Sequence, residues 1–422
     1  MDAGARALRG NRDFRIVLAG QTVSALGDAI SITAMPLLVL FLTGSGALMG
    51  IVGALQFLPD LVFGLMAGAM ADRWDRRRMI MWADGGRAAL TAAIPLSHWL
   101  GLPTMAVILI VTVPINALRL FSDAGLTSAL PSLVGRDNLG RANSYIEATL
   151  SVPYVIGPAI AGLLVASIGA ASTLAIDSAS FAVSAMSLPF VRRRLRAERE
   201  GELPRVLDDI REGIAFVWRN LVLRGIITYW SVIAVATAGV VPALSYYITI
   251  DRDLGPALFG YVGSAWSIGY LGGSLVTGRL RGERVGLRML ATGVVIGGAL
   301  IAIATTRSAP VYLCAAAVIG AALAILLVSY ATLRASLTPD EFLGRVGSTA
   351  RTLSLGLQPI GMLGAGALVE VAGGGAALRA MGIAAIGATL LLGLSRTVRN
   401  AGPGAATQAA DRAASEAPTI VT

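Results

Sequence analysis

A few ionisable side chains stand inside stretches that are otherwise apolar, and they pose the chemical question. Asp28 lies near the middle of an apolar run over 16–42, and Asp60 near the middle of a second over 46–71. Asp84 and Arg87 share a third, 79–100, Asn116 lies in a fourth, 103–123, and Asp177 lies in the outer part of a sixth, 171–191. If these runs cross a bilayer, each charge costs about 2.5–3.5 kcal/mol at the helix centre, so such residues are functional candidates by default. Asp28 stands too far from either end of its run to reach an interface, and Gly27 before it leaves room for a neighbouring helix or a ligand. Holding a bare carboxylate there is costly, which suits a group that takes up and gives back a proton or holds a cationic substrate. We place Asp28 first in that role and Asp60 second. The alternative is that Asp28 bonds a neighbouring backbone group and never changes charge. Asp84 and Arg87, three residues apart on one helical face, can neutralise each other, and that pair is as much structural as functional.

Other chemistries are excluded by count. The chain has one Cys, Cys314, and one His, His98. Disulfides, a structural zinc site and a Cys/His nucleophile are therefore ruled out. No nucleophile–base pair, metal cluster or phosphate loop stands out, so the sequence predicts no enzyme, no cofactor and no metal. His98 beside Trp99, at the end of an apolar run, reads as an interface residue.

The elements that carry these residues follow from composition. Of 422 residues, 55% are hydrophobic and 14% charged, against about 25% charged in soluble domains. A surface that apolar calls for lipid as its solvent. Runs long enough to span, about 20 residues, recur at 16–42, 46–71, 79–100, 103–123, 142–168 and 171–191. They recur again at 224–250, 255–278, 286–306, 308–333, 346–371 and 376–395. The first run is too long for a signal-peptide core. The expected fold is an all-α membrane protein of about twelve transmembrane helices in two six-helix, pseudo-symmetric bundles.

The net charge is +9, every basic residue is Arg, and no aromatic platform accompanies the basic clusters. A membrane rather than a nucleic acid explains the balance. With a cytoplasmic N-terminus, the outer loops hold only Arg252 and Arg307, while the inner segments hold nearly all the rest. The positive-inside rule then places both termini in the cytoplasm of a multi-pass cell-membrane protein.

Four parts are expected: an N-terminal six-helix bundle at 1–191, a cytoplasmic linker at 192–222, a C-terminal six-helix bundle at 223–399, and a disordered tail at 400–422. In the linker, Leu203, Val206, Leu207, Ile210, Ile214 and Val217 form one helical stripe. It predicts an amphipathic surface helix over 203–219; a plain tether is the alternative. The halves also repeat. Leu139, Gly140, Arg141, Ser144, Gly157 and Gly162 pair with Leu343, Gly344, Arg345, Ser348, Gly361 and Gly366 at a constant offset. A parallel six-span repeat is a transporter signature, with a substrate site between the halves near the midplane.

Motifs narrow the class. GAMADRWDRRR, from Gly68 to Arg78, is similar to the signature loop of the major facilitator superfamily: Gly68, Asp72, Arg73, Arg76 and Arg77 fall on its pattern, and Asp75 stands where that family usually has Gly. LGDAISITAMPLLVLFLTGS, ADGGRA, ALPSLVGRDNLGRANSYIEA, GPAIAG, EGIAFVWRNLVLRG and LTPDEFLGRVGS extend the resemblance over most of 15–370. Together they resemble the macrolide-efflux and enterobactin-exporter-like branch. Gly157, Pro158 and Gly162 are similar to the fifth-span motif of antiporters in that superfamily.

The resemblance implies a monomeric secondary transporter that exports a small amphipathic molecule (a drug, macrolide, siderophore or natural product) by alternating access. Protons are the implied coupling partner. It implies a cavity lined by spans one, four, seven and ten, with Asp28, Asn116, Tyr246, Ser329 and Tyr330 as polar candidates. A cytoplasmic gate is implied in which Asp72 engages Arg76; position alone, at the expected end of span four, suggests Asp123 as a second acidic partner. An importer or uniporter of the same fold remains an alternative. A non-transporting scaffold or sensor would explain the spans, but neither the acids within them nor the duplicated half.

Overall fold

The computed structural model describes residues 8, 10–71, 74–193, 206–280 and 284–402, with the backbone alone at 64–69, 71, 136 and 206–210. The expected tail beyond 402, the start of the linker, and the gate residues Asp72 and Arg73 lie outside the described residues, as does the environment of Gly68.

The fold is all-helical. Six long helices come first: α1 (Arg12–Thr43), α2 (Gly46–Ala71), α3 (Arg76–Trp99), α4 (Thr104–Val134), α5 (Leu139–Ile168) and α6 (Ala170–Ser187). The linker helix α7 (Val206–Arg219) leads to α8 (Leu221–Thr237) and α9 (Val240–Tyr246), which ends in a π-helical turn, Tyr247–Asp251. Then follow α10 (Gly255–Thr277), α11 (Val285–Thr305), α12 (Ala309–Ser336), α13 (Leu343–Gly393) and the short α14 (Arg396–Arg399). Nine of the described segments are long and apolar enough to cross a membrane on length and composition. α3 falls short because it carries Asp84 and Arg87, and α10 because it is rich in Gly and Ser. α13 counts once although it bends into two passes at Gly373, whose φ of 79° breaks the helix. Twelve passes result among the described residues. Trp82, Ile110 and Leu391 are at least 70% exposed, as expected of side chains that lipid solvates.

One expected boundary is corrected. α4 does not end at 123 but continues to Val134, where Gly135 stops it at φ 77°. The continuation LFSDAGLTSALPSLV stays apolar and small apart from Asp123, and Asp123 is paired one turn back with Arg119. Asp123 therefore sits inside a helix rather than at its end.

The chain divides into two compact units. Unit 1 holds residues 1–204, 238–267 and 358–377; unit 2 holds 205–237, 268–357 and 378–422. In unit 1, α1 packs along α5 and α6, α3 along α4 and α6, and α2 along α4. At one end Phe14, Ile80, Leu130, Leu133, Ala142 and Leu188 form an apolar plug. Around it, polar groups satisfy the helix ends. Asn11 Nδ2 donates to the Leu133 carbonyl at 2.8 Å, and Asp13 accepts from the amides of Arg192 and Arg193 at 3.2 and 2.9 Å. Arg77 donates to the carbonyls of Pro189 and Val191 at 2.9 and 3.0 Å, and Arg76 to Ser132 Oγ at 3.3 Å. Basic groups on terminal carbonyls also match the negative end of the helix dipole.

Unit 1 contains two matched glycine contacts. A Cβ on Gly50 would stand 2.9 Å from Gly366 Cα, and one on Gly162 would stand 2.9 Å from Gly260 Cα. α2 thus meets α13, and α5 meets α10, backbone to backbone, as small residues allow in lipid. Gly162 and Gly366 are partners in the sequence repeat, so the same approach is made twice. Beside the first contact, Glu370 accepts from Ser45 Oγ at 2.8 Å and from the Ala47 amide at 3.1 Å, capping the start of α2.

In unit 2, Tyr229 OH donates to the Met289 carbonyl at 3.0 Å and lies 3.2 Å from Thr389 Oγ1. Trp230 stacks on Tyr330 with centroids 5.2 Å apart, and Ser329 Oγ accepts from Arg288 Nε at 3.0 Å. α7 docks on the start of α13: Phe216 stacks on Phe342 at 4.8 Å, Glu212 pairs with Arg345 at 2.6 Å, and Gly213 and Val217 are buried. Of the expected stripe, Val217 faces inward while Ile214 is 44% exposed. Cysteine scanning of 211–219 should give thiol labelling with a helical period, lowest at 213 and 217. Uniform labelling would disprove a docked helix.

Candidate functional site

α1, α3 and α6 bring three carboxylates around one guanidinium. Arg87, 4% exposed, donates from Nη2 to Asp28 Oδ1 at 2.5 Å, while its Nη1 lies 3.9 Å from Asp84 Oδ1. Its Cζ stands 3.8 Å from the centroid of the Phe181 ring, a cation–π contact that holds the charge in place. The expected Asp84–Arg87 pair is therefore the longer of the two contacts. Asp84, fully buried, accepts from Ser184 at 2.6 Å, Ser122 at 2.8 Å and Gln21 at 3.5 Å. Asp177 accepts from Ser31 and, at 3.4 Å, from Ser180. Asp28 is the most open of the three, with a side chain 26% exposed.

A second group stands on α2 and α4. Arg119 lies 3.0 Å from Asp60 and 3.4 Å from Asp123. Asp60, at 6% side-chain exposure, is more enclosed than Asp28. Asp123, with a side chain 61% exposed, meets Arg119 along α4. Asn116 bonds its own helix, Nδ2 donating to the Thr112 carbonyl at 2.9 Å.

Both groups open on one cavity of about 310 Å³. Its walls come from all of the first six helices and include Asp28, Arg87, Asn116, Arg119, Asp123 and Asp177, with Thr91 and Tyr154. Two buried donors beside it, Arg87 Nε and Thr91 Oγ1, have no hydrogen-bond partner among the described residues. Unpaired buried polar atoms cost about 1–3 kcal/mol each. Counted together, five carboxylates face two guanidinium groups.

The antiporter-like residues line up along α5. Gly157 packs against Ala29 of α1, Pro158 lines an apolar chamber beside the cavity, and Gly162 makes the contact with Gly260. Sequence reasoning missed Arg119 because α4 was expected to stop too soon. It also missed Ser31, Ser180 and Ser184. The one signal they left is spacing, since Asp177, Ser180 and Ser184 fall on one helical face.

Comparison with known proteins agrees with this architecture. A family model described as transmembrane secretion effector (MFS_3) matches residues 6–417. The chain is 33% identical over 378 residues to the multidrug efflux pump Tap of Mycolicibacterium fortuitum, covering 85% of this chain and 89% of that protein. It is 27% identical over 209 residues to macrolide efflux protein A of Streptococcus pyogenes, covering 49% of this chain and 51% of that one. Among solved structures, it superposes on a bacterial homologue of the iron transporter ferroportin in an inward-facing state with a TM-score of 0.71. That match has 16% identity and covers 91% of this chain and 97% of the other. The nucleoside transporter NupG superposes with a TM-score of 0.72 at 12% identity, over 90% of this chain and 98% of that one. These two likenesses show the fold.

Proposed function

Because this chain belongs to the transmembrane secretion effector family of major facilitator efflux transporters, we propose that it exports small amphipathic cations in exchange for protons. The cavity of its first six helices is the exchange site in this reading. The observation that carries the reading is the charge imbalance at the cavity wall: Asp28, Asp123 and Asp177 line it with Arg87 and Arg119, and Asp84 and Asp60 stand behind as further acidic partners of the two arginines. Surplus negative charge in a lipid-enclosed cavity is costly, and either a proton or an organic cation relieves it. Two occupants that neutralise the same carboxylates compete, and competition for one site is what antiport needs.

Asp28 is the exchange group, being close to Arg87 and the most open to the cavity of the three acids around it. Once a proton or an ammonium takes Asp28, Arg87 is released toward Asp84, already 3.9 Å away. Asp60 and Arg119 form the second, more enclosed pair. The remaining features belong to the same reading: a monomer in the cell membrane, both termini cytoplasmic, six-helix halves at 1–191 and 223–399, and a gate in the loop of Asp72, Arg73, Arg76 and Arg77.

The test uses ethidium, a permanent cation that a pH gradient alone does not concentrate. Everted vesicles with an acidic lumen should accumulate it and lose part of the gradient as they do. Asp28→Asn keeps size and hydrogen bonding but does not titrate. It should permit exchange at equilibrium yet abolish uphill accumulation. Accumulation at the wild-type rate would rule out Asp28 as the coupling group. Ethidium equilibration without proton release in the wild type would point to a uniporter.

A further inference from the structure

Beside the acidic cavity lies a chamber of about 190 Å³ with a different lining, in which Leu244, Phe259, Trp266 and Pro158 stand among small and aliphatic neighbours. All of its residues belong to unit 1. Ile32 and Tyr154 line both spaces and so form their common wall. Small-molecule sites run from about 300 to 1,000 Å³, mostly apolar with a few placed polar groups. The chamber alone is too small for that range, and the acidic cavity at about 310 Å³ only just enters it. A ligand that fills both finds an ordinary site.

We infer that the two spaces are one binding site for an amphipathic amine with a flat apolar body. The ammonium pairs with Asp28, whose side chain is 26% exposed. The flat apolar portion passes Ile32 and Tyr154 to lie among Leu244, Phe259 and Trp266. Along α1, Asp28 and Ile32 are four residues apart, a rise of about 6 Å. The charged centre and the first apolar atoms of the ligand are therefore separated by roughly that length. Tyr154 and Ile32 are specificity residues in this arrangement, since they decide which bodies pass from one space to the other. The inference rests on the acidic cavity being the substrate site, and it adds what the substrate looks like.

Equilibrium binding to the purified full chain tests it with two probes. Propranolol has an ammonium, a hydroxyl and a naphthyl ring; 2-(isopropylamino)ethanol keeps the ammonium and hydroxyl two carbons apart and lacks the whole naphthyloxymethyl arm. Leu244→Trp, which fills the chamber, should weaken propranolol at least tenfold and leave the ringless probe within twofold. Trp266→Ala, which only removes atoms, should also weaken propranolol selectively, and it decides the matter if the larger residue prevents folding. If the chamber variants leave propranolol unchanged, or weaken both probes equally, the inference is wrong. If Asp28→Asn leaves both probes unchanged while the chamber variants discriminate, the apolar chamber stands and the exchange site at Asp28 falls. A wild-type chain that binds neither probe overturns both.

Discussion

Replacing Arg87 with methionine should destabilise unit 1 by about 3–5 kcal/mol, the cost of breaking a buried ion pair by removing one partner. Arg87 is 4% exposed and sits between Asp28 and Asp84, with Phe181 against its flat face. Methionine fills much of the same volume but leaves the acids facing one another. Adding Asp28→Asn should return part of the loss, because one of the stranded charges disappears with it. A thermal unfolding series in detergent on the two single variants and the double variant measures the coupling directly. An Arg87→Met variant within 1 kcal/mol of the wild type would mean that the guanidinium contributes no stability here.

The second large effect is expected at the glycine contacts. Gly366→Ala adds a single Cβ, which would stand 2.7 Å from Gly50 Cα and 2.7 Å from the Gly46 carbonyl oxygen. Backbone on both sides leaves nothing that can rotate away. Alanine is the better helix former by about 1 kcal/mol, so local propensity opposes the effect instead of causing it. Overpacking of this kind costs about 1–3 kcal/mol, and a conformational equilibrium shifts about 5- to 150-fold for that amount. Spin labels at Thr43 and Val371 should lose their short-distance population in the variant. Gly162→Ala should do the same through α10, since its Cβ would stand 2.7 Å from the Pro256 carbonyl oxygen. Unchanged distance distributions in both variants would show that the two contacts do not control the state observed.

Much of this was legible in the sequence because lipid leaves few options. Apolar runs of spanning length must be helices, and nearly every expected run corresponds to one. Asp28, Asp60, Asp84, Arg87 and Asp177 were visible because charge is rare in such runs. Their pairing was not. Neighbours along one helix suggested Asp84 for Arg87, yet its close partner, Asp28, stands on another helix. That choice depends on how α1 and α3 pack, which a single helix face does not encode. α4 was cut short because a charged residue in a run looks like an end when its partner is unknown. The serines around Asp84 and Asp177 carry no charge, and serine is common in every helix of this chain. The repeat showed that Gly162 and Gly366 are equivalent, but not that each meets a glycine of the other half. The break between the expected spans 346–371 and 376–395 was legible, and it falls at Gly373, whose φ of 79° separates the two passes.

The seam where α2 meets α13 is dry: Met49, Val369 and Met362 are all under 9% exposed behind the Glu370 cap. If that seam parts during the transport cycle, water must enter it, and water must leave before it closes again. Its opening is then a hydration step as well as a helix movement. Solutes that are excluded from protein surfaces favour the less hydrated arrangement. The balance between the two states therefore answers to the water activity of the medium as well as to protons and substrate, and osmotic stress at fixed pH biases the chain toward the arrangement in which the seam is closed.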